Sequence, residues 1–318
     1  MSSTPRTVQR HSIPDEPQPA SPVAGRRRRG GHRSRRDLRP SNVLTLVMLA
    51  FLAYFLLPLV WLLISSTKNV TQLFHSFGLW FSGGGFNLFA NIHTVFTYQN
   101  GVFGTWFENT ALYTGVSACA ATLLAALGGY GFAKFKFPGR NALFGMILGS
   151  IMVPFTVLAI PTYLLLSKVS LVNTRWAIIL PSMLSPFGLY LMRVYMEGAV
   201  PDSLLESARV DGAGEFRIFA KIVLRLVAPG LVTVLLLNLV ATWNNYFLPL
   251  VMLNNPKLFP ITVGLAQWNA QATAGAGSQA LFNLVITGSV VSIIPLIAAF
   301  LFLQRYWQSG LTLGGVKG

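Results

Sequence analysis

Residues 200–224 read V-P-D-S-L-L-E-S-A-R-V-D-G-A-G-E-F-R-I-F-A-K-I-V-L, a polar stretch between two long apolar segments. With Glu197 just before it, this stretch holds five of the nine acidic residues of a 318-residue chain. Three basic residues lie among them, whereas the rest of the chain is nearly free of acids. Because the charge is concentrated here, we expect the stretch to contact another protein.

The composition indicates a membrane protein. Hydrophobic residues make up 53% of the chain and charged residues only 10%, which is too apolar for an ordinary soluble domain of this length. A helix needs about 20 apolar residues to cross a hydrocarbon core of about 30 Å. Six segments meet this requirement: 43–64, 110–132, 141–166, 176–196, 226–253 and 281–303. We therefore expect an all-α integral membrane protein with six transmembrane helices, the third of them bent by Pro154 and Pro161.

The basic residues predict the orientation of these helices. If the N-terminus is cytoplasmic, 20 of the 24 Lys and Arg residues lie on the cytoplasmic side. Positive charge favours that side, so both termini are predicted to be inside. The polar stretch at 200–224 is then cytoplasmic as well.

The first 40 residues form a separate region that is rich in Pro, Ser and Arg. Because it has almost no large apolar side chains, we expect a disordered cytoplasmic tail. Its arginines could bind nucleic acid, but beside a transmembrane helix we favour attraction to anionic membrane lipid and no nucleic acid partner. The sequence S-R-R-D-L-R (34–39) resembles a twin-arginine export signal, but the apolar run after it is too long and lacks a small-residue cleavage site.

No enzymatic motif is found in the sequence. The P-loop pattern G-x-x-x-x-G-K-[ST] and the zinc motif H-E-x-x-H are both missing, and the four His residues are scattered. We therefore expect no enzyme activity, no cofactor and no metal site in this chain. The apolar segments are also nearly free of charge, unlike those of ion-coupled transporters. Energy for any transport is therefore expected to come from elsewhere.

The first part of the polar stretch has the pattern of a short helix over 204–211. Ser203 and Glu206 match an S-x-x-E capping box, Pro201 favours a stop for the preceding helix, and Gly212 suits a C-terminal stop.

This predicted helix would be amphipathic. Leu204, Leu205 and Ala208 would share one face, with Glu206 and Arg209 beside them. A helix this short is unstable alone and needs a partner surface. Glu206 could instead serve only the capping box, and the two roles are compatible.

The pattern E-S-A-x3-G-x9-I-x-L-R of residues 206–225 resembles the EAA loop, E-A-A-x3-G-x9-I-x-L-P, of permease subunits of bacterial ABC importers. The whole loop would cover about 197–225. Ser207 replaces the usual second Ala, and Arg225 replaces the usual Pro. Because of the second change, we expect Pro229 to supply the bend at which the chain re-enters the bilayer.

The resemblance extends over about residues 40–318. The sequences W-N-N-Y-F-L-P-L-V-M-L (243–253) and F-L-Q-R-Y-W-Q-S-G-L-T-L-G-G-V-K-G (302–318) look like the maltose-permease G-type branch of the carbohydrate uptake importers. This resemblance implies a type I ABC importer permease fold over 41–318, a place in the bacterial inner membrane, and a sugar or oligosaccharide substrate. Permeases for glycerol phosphate or polyamines share the EAA loop and stay as alternatives. A secondary transporter working alone is a further alternative, although no inverted repeat is visible.

The resemblance also implies partners and a mechanism. In this family the EAA loop forms a coupling helix that docks on an ATP-binding subunit. A second, different permease, two ATP-binding subunits that hold ATP and Mg, and an extracellular solute-binding protein are implied as partners. Closure of the ATP-binding pair would switch the permease between inward-open and outward-open states. The residues implied in the coupling contact are Leu204, Leu205, Glu206, Ala208, Arg209, Asp211, Gly212 and Phe216.

Three further sets of residues are candidates for contacts. The fifth apolar segment offers a solute path, although packing between helices explains its amides and aromatic rings equally well; its residues are Asn238, Thr242, Trp243, Asn244, Asn245 and Tyr246. The connection at 254–280, with Gln267, Trp268 and Asn269, is a candidate surface for the binding protein, or else a mobile Gly- and Ala-rich loop. The C-terminal tail, with Gly314, Gly315 and Lys317, could touch the ATP-binding dimer or be a frayed terminus.

Overall fold

The computed structural model describes residues 42–83, 85–275 and 279–311, and within these ranges every regular element is a helix. The Arg-rich tail and the C-terminal residues Gly314, Gly315 and Lys317 lie outside the described residues, so the predictions made for them stay predictions. Contacts divide the chain into one unit that ends at Leu52 and a second that begins at Ala53. All contacts described below belong to the second unit.

The first predicted span is helix α1, Asn42–Ser66. Its side chains are exposed up to Trp61, although nearly all of them are apolar. An apolar and exposed helix of this length fits a hydrocarbon environment better than water. The prediction of a helix over 43–64 is therefore confirmed.

Helices α2 (Val70–His75) and α3 (Leu88–Thr97) follow, and then comes the long helix α4 (Val102–Lys134), which contains the second predicted span. Side-chain amides tie this region together, because Asn91 on α3 and Asn283 on the last helix both donate to the carbonyl of Lys68, at 2.8 and 2.7 Å. Buried amides that are satisfied in this way fix the position of neighbouring helices.

The third predicted span is broken. Helix α5 (Arg140–Ile151) and helix α6 (Phe155–Lys168) meet at an angle of 107° across residues 152–154. Pro154 adopts an extended conformation that ends the helix, as expected, whereas Pro161 lies inside α6. The expectation of a single bent helix over 141–166 is thus corrected to two helices.

The fourth span is also interrupted. Helix α7 (Trp176–Ser182) and helix α8 (Pro186–Ala199) are separated at residues 183–185, where Ser185 is non-helical and caps α8. The close approach of α4 and α8 requires glycine, since a Cβ atom on Gly129 would lie 2.7 Å from Cβ of Met192. Helix packing at this distance gives a tight contact between the two backbones.

The cytoplasmic stretch and the fifth span follow. Helix α9 (Asp202–Val210) leads to α10 (Glu215–Ile218), a π-helical turn (Phe219–Val223) and α11 (Leu224–Leu226). Helix α12 (Ala228–Trp243) then starts after a bend of 82°.

The prediction of one helix over 226–253 is wrong, because α12 ends at Trp243 and α13 (Phe247–Met252) is separate. The chain continues with α14 (Ile261–Ala274) and α15 (Gln279–Leu311), which contains the last predicted span. By length and composition, four helical stretches among the described residues could each cross a membrane, and six if each bent pair forms one span. The six-span prediction therefore holds only with two broken spans.

The connection between α13 and α14 is fixed to one face of α4. Trp106 donates from Nε1 to the carbonyl of Pro256 at 2.9 Å, and Asn109 donates from Nδ2 to that of Lys257 at 2.8 Å. The hydroxyl of Tyr113 donates to the carbonyl of Leu258 at 2.9 Å. Trp268 is fully buried beside Trp106, so its predicted place on an exposed outer surface is wrong. The aromatic ring packs in the core instead.

Candidate coupling surface and solute cavity

Helix α9 begins two residues earlier than the capping pattern predicted. Pro201 stands just outside the helix in an extended conformation (φ −66°, ψ 136°), and Asp202 is the first helical residue. Ser203 therefore lies inside the helix, where it cannot act as the N-cap, and no side chain caps this end. The predicted capping box is wrong because the fixed φ of the proline sets the boundary.

The C-terminal end of α9 is as predicted. Gly212 has φ +80°, in the left-handed region that other residues avoid. Its N–H donates to the carbonyl of Arg209 at 3.0 Å, and the N–H of Ala213 donates to that of Ala208 at 3.0 Å. This pair of bonds is the Schellman motif. It turns the chain sharply from α9 into α10.

One face of α9 packs on its own subunit. Leu205 and Ala208 are buried in a core that includes Met196 and Ile218. Both residues were predicted to share an exposed docking face with Leu204. They instead hold the helix in place from the inside.

Outside this buried face, α9 and α10 present apolar side chains outward. Leu204 is partly exposed, Val210 is 87% exposed, and Phe216 on α10 is 82% exposed. The exposed acid Glu206 lies on the same helix. Exposed apolar side chains beside a charge are typical of a protein contact surface. The sequence analysis did not select Val210 as a contact residue. The one available signal was an apolar, β-branched residue at the end of a predicted helix, just before Asp211 and Gly212.

Three of the five acids around the stretch are paired within the chain. Glu197 pairs with Arg193 at 3.0 Å and with Arg140 at 3.6 Å, whereas Glu215 pairs with Arg209 at 2.6 Å. The third acid, Asp202, pairs with Lys134.

Lys134 makes a further bond that helps to position α9. Its Nζ atom donates to Asp202 and to the carbonyl of Val200, both at 2.7 Å. The ammonium beside Asp202 holds the pKa of that carboxyl below its usual value. Among the described residues Glu206 and Asp211 make no ion pair, and they are therefore the acids left for a partner.

The chain re-enters the bilayer close to Pro229, which was expected to supply the bend because Arg225 stands where the family usually has a proline. Arg225 continues α11, and the chain bends at Val227 (φ −97°, ψ 10°). Pro229 stands in the first turn of α12, where its missing N–H costs nothing. The bend of 82° thus lies two residues before Pro229.

A cavity of about 710 Å³ lies where two helix breaks face each other. The α7–α8 break contributes Ser182 and Ser185, and the α12–α13 break contributes Asn244, Asn245 and Tyr246. Irregular backbone at membrane depth is tolerated where it lines a cavity. The cavity has the size of a small-molecule site.

Five of the six residues predicted for the solute path line the cavity, namely Asn238, Thr242, Asn244, Asn245 and Tyr246, whereas Trp243 does not. Trp243 is buried, and its Nε1 donates to the carbonyl of Ser292 at 3.1 Å. This tryptophan joins α12 to α15. Sequence reasoning missed Ser182 and Ser185, since nothing in the sequence places them opposite the fifth span.

The described residues contain no group of three or more His, Cys, Asp or Glu side chains placed to hold a metal ion.

Residues 120–312 match the family described as binding-protein-dependent transport system inner membrane component, and the chain belongs to this family. It is thus a multi-pass membrane permease subunit of an ABC transporter. Permeases of this family work with ATP-binding subunits and a solute-binding protein.

Two relatives illustrate the similarity. The chain is 36% identical over 271 residues to the arabinooligosaccharides transport system permease protein AraQ of Halalkalibacterium halodurans, which covers 85% of this chain and 93% of the relative. It is 30% identical over 284 residues to the lactose transport system permease protein LacG of Rhizobium radiobacter, covering 88% and 96%.

A solved structure has a similar fold. It is the crystal structure of a bacterial ABC transporter involved in the import of the acidic polysaccharide alginate. The TM-score is 0.74 at 24% identity, and the match covers 83% of this chain and 95% of the other. The type I importer permease fold inferred from the sequence is therefore confirmed.

Proposed function

We propose that this chain is the permease subunit of an ATP-driven importer for a sugar or oligosaccharide. The substrate class is supported by two relatives, which are named as permeases for arabinooligosaccharides and for lactose. Solute would cross by alternating access between inward-open and outward-open states.

Coupling to ATP hydrolysis is assigned to the outward face of α9. The observation that supports it is the separation of the two faces, with Leu205 and Ala208 buried in the subunit and Glu206, Val210 and Phe216 exposed. Because one side of this nine-residue helix is packed in the core, α9 can move as a rigid body with the rest of the subunit when the ATP-binding subunit moves. Gly212 and the Arg209–Glu215 pair keep α9 at a fixed angle to α10.

The assembly implied by this role has four kinds of partner. A second, different permease would complete the membrane pathway, and two ATP-binding subunits would hold ATP and Mg. An extracellular binding protein would deliver the solute, and lipid would surround the spans. Gly314, Gly315 and Lys317 would add a contact with the ATP-binding subunits.

Purification of the tagged chain from membranes tests this proposal. The wild type is expected to bring down an ATP-binding subunit, and Glu206→Arg is expected to lose most of it, because the acid would be replaced by a repelling charge. Lys168→Glu, an exposed charge reversal at the end of α6, is the control and should retain the partner. Full retention by Glu206→Arg, with unchanged ATPase activity, would contradict the coupling role.

A further inference from the structure

The wall of the cavity contains an amide whose orientation is fixed. Asn238 on α12 accepts a hydrogen bond through Oδ1 from the hydroxyl of Ser185, at 2.8 Å. Because the oxygen is used in this way, the Nδ2 group is the free end of the amide. It has no hydrogen-bond partner within the described residues.

A second polar group nearby is also unpartnered. The hydroxyl of Ser182, at the end of α7, makes no hydrogen bond to any part of the chain that the structure describes. Both residues line the same cavity, and both polar atoms are shielded from solvent in this conformation. A shielded polar group without a partner is costly, and native structures keep one mainly where another state or a ligand satisfies it.

The rest of the cavity wall is uncharged and mostly apolar. It includes the aromatic residues Phe155, Phe187, Tyr246 and Phe247, and the lining that the structure describes contains no Asp, Glu, Lys, Arg or His. An acidic oligosaccharide, a phosphate ester or a polyamine would enter such a cavity without a counter-charge, which is unfavourable. A neutral saccharide needs only hydrogen bonds to its hydroxyls and apolar contact with its ring faces.

We propose that the Asn238 amide and the Ser182 hydroxyl, shielded in this conformation, become exposed to the cavity during the transport cycle and there hydrogen bond to the hydroxyls of an uncharged saccharide, with Ser185 holding the amide in position. This inference rests on the proposed function, because it assigns the solute contact within the same importer. Ser185 lies in the break between α7 and α8, where its backbone is non-helical (φ −131°, ψ 82°).

The test uses the complete importer in proteoliposomes with its binding protein and ATP. Arabinotriose and lactose serve as neutral probes, and a trigalacturonate serves as the acidic one. The wild type is expected to import a neutral probe in preference to the acidic one. Asn238→Ala and Ser182→Ala are expected to slow import by about fivefold to tenfold, as loss of one hydrogen bond in the passage predicts.

Three controls make the result specific. Thr233→Val lies on the same helix, but its hydroxyl is used within α12 on the carbonyl of Pro229, so import should be unchanged. Co-purification of the ATP-binding subunit shows that each variant assembles. ATPase activity stimulated by the loaded binding protein should be retained in Thr233→Val and lost in Glu206→Arg.

The outcomes separate the two proposals. Import by the wild type with unchanged rates in both Asn238→Ala and Ser182→Ala overturns this inference and leaves the importer role standing. Preference of the wild type for the acidic probe also overturns it. If the assembled wild type imports no saccharide, the proposed function fails and this inference fails with it.

Discussion

Arg209 and Glu215 join the two arms of the cytoplasmic stretch, since Nε of the arginine lies 2.6 Å from Oε1 of the glutamate across the turn at Gly212. The other carboxylate oxygen accepts a hydrogen bond from the hydroxyl of Tyr130 on α4, at 3.0 Å. A single carboxylate therefore connects α9, α10 and α4. In the proposed coupling role, this contact and the buried core would pass movement of α9 to α4.

Exchanging the charges of this pair tests its role. Arg209→Glu alone should lower transport-linked ATPase activity, because two carboxylates would then face each other. The double variant Arg209→Glu with Glu215→Arg restores opposite charges and should recover most of the lost activity. ATPase activity of the reconstituted complex is the measurement. A double variant with no more activity than Arg209→Glu alone would show that the ion pair is not what matters.

Gly212→Ala should destabilise the turn after α9. The left-handed backbone at φ +80° costs a residue with a Cβ atom roughly 1–2 kcal/mol. Gly214→Ala is the matched control, since this glycine has φ −71° and open space around its Cβ position. Thermal unfolding of the detergent-solubilised protein should show a lower midpoint for Gly212→Ala only. Equal midpoints would mean that the turn is not strained by a side chain.

Leu205→Ala and Leu204→Ala should have different effects. Leu205 is 1% exposed in the core, so its truncation is expected to cost about 2–5 kcal/mol. Leu204 is 39% exposed, and its truncation should leave unfolding nearly unchanged while weakening recovery of the ATP-binding subunit. Unfolding and co-purification are measured on the same preparations. The opposite pattern would mean that the faces of α9 are assigned the wrong way round.

Gly129→Ala should separate α4 from α8. A Cβ atom there would lie 2.7 Å from Cβ of Met192 and 2.9 Å from the backbone N of Arg193, and overpacking of this kind costs about 1–3 kcal/mol. Gly131→Ala, two residues further along α4, meets nothing within 4 Å and is the control. Thermal midpoints of the two variants provide the comparison, and a stable Gly129→Ala would contradict the close packing.

The sequence predicted the positions of the spans well, because about 20 consecutive apolar residues are a strong local signal. It also predicted the stop at Gly212 and the bend near Pro229, since both depend on the backbone preference of one residue. The capping box failed where two local rules competed. The helix α9 starts directly after Pro201, so Ser203 lies inside the helix and cannot cap it.

Tertiary contacts could not be read from one sequence. Leu204 and Leu205 are equally apolar, and only the packed core decides which one is buried. Ser185 and Asn238 are 53 residues apart, and their hydrogen bond exists only because two broken spans meet. The break after Trp243 was missed because the segment 226–253 is apolar on both sides of it.

Cysteine cross-linking tests the central claim most directly. Val210→Cys, made in a chain whose one cysteine is changed by Cys119→Ser, is labelled in the assembled complex with a short reagent that has one thiol-reactive end and one photoreactive end, and is then illuminated. The account predicts a cross-link between this position and the ATP-binding subunit, and no such cross-link for Leu205→Cys, whose side chain is buried. A cross-link from the buried position alone, or none from Val210→Cys in a complex that still hydrolyses ATP, would contradict the claim that the outward face of α9 is the coupling surface.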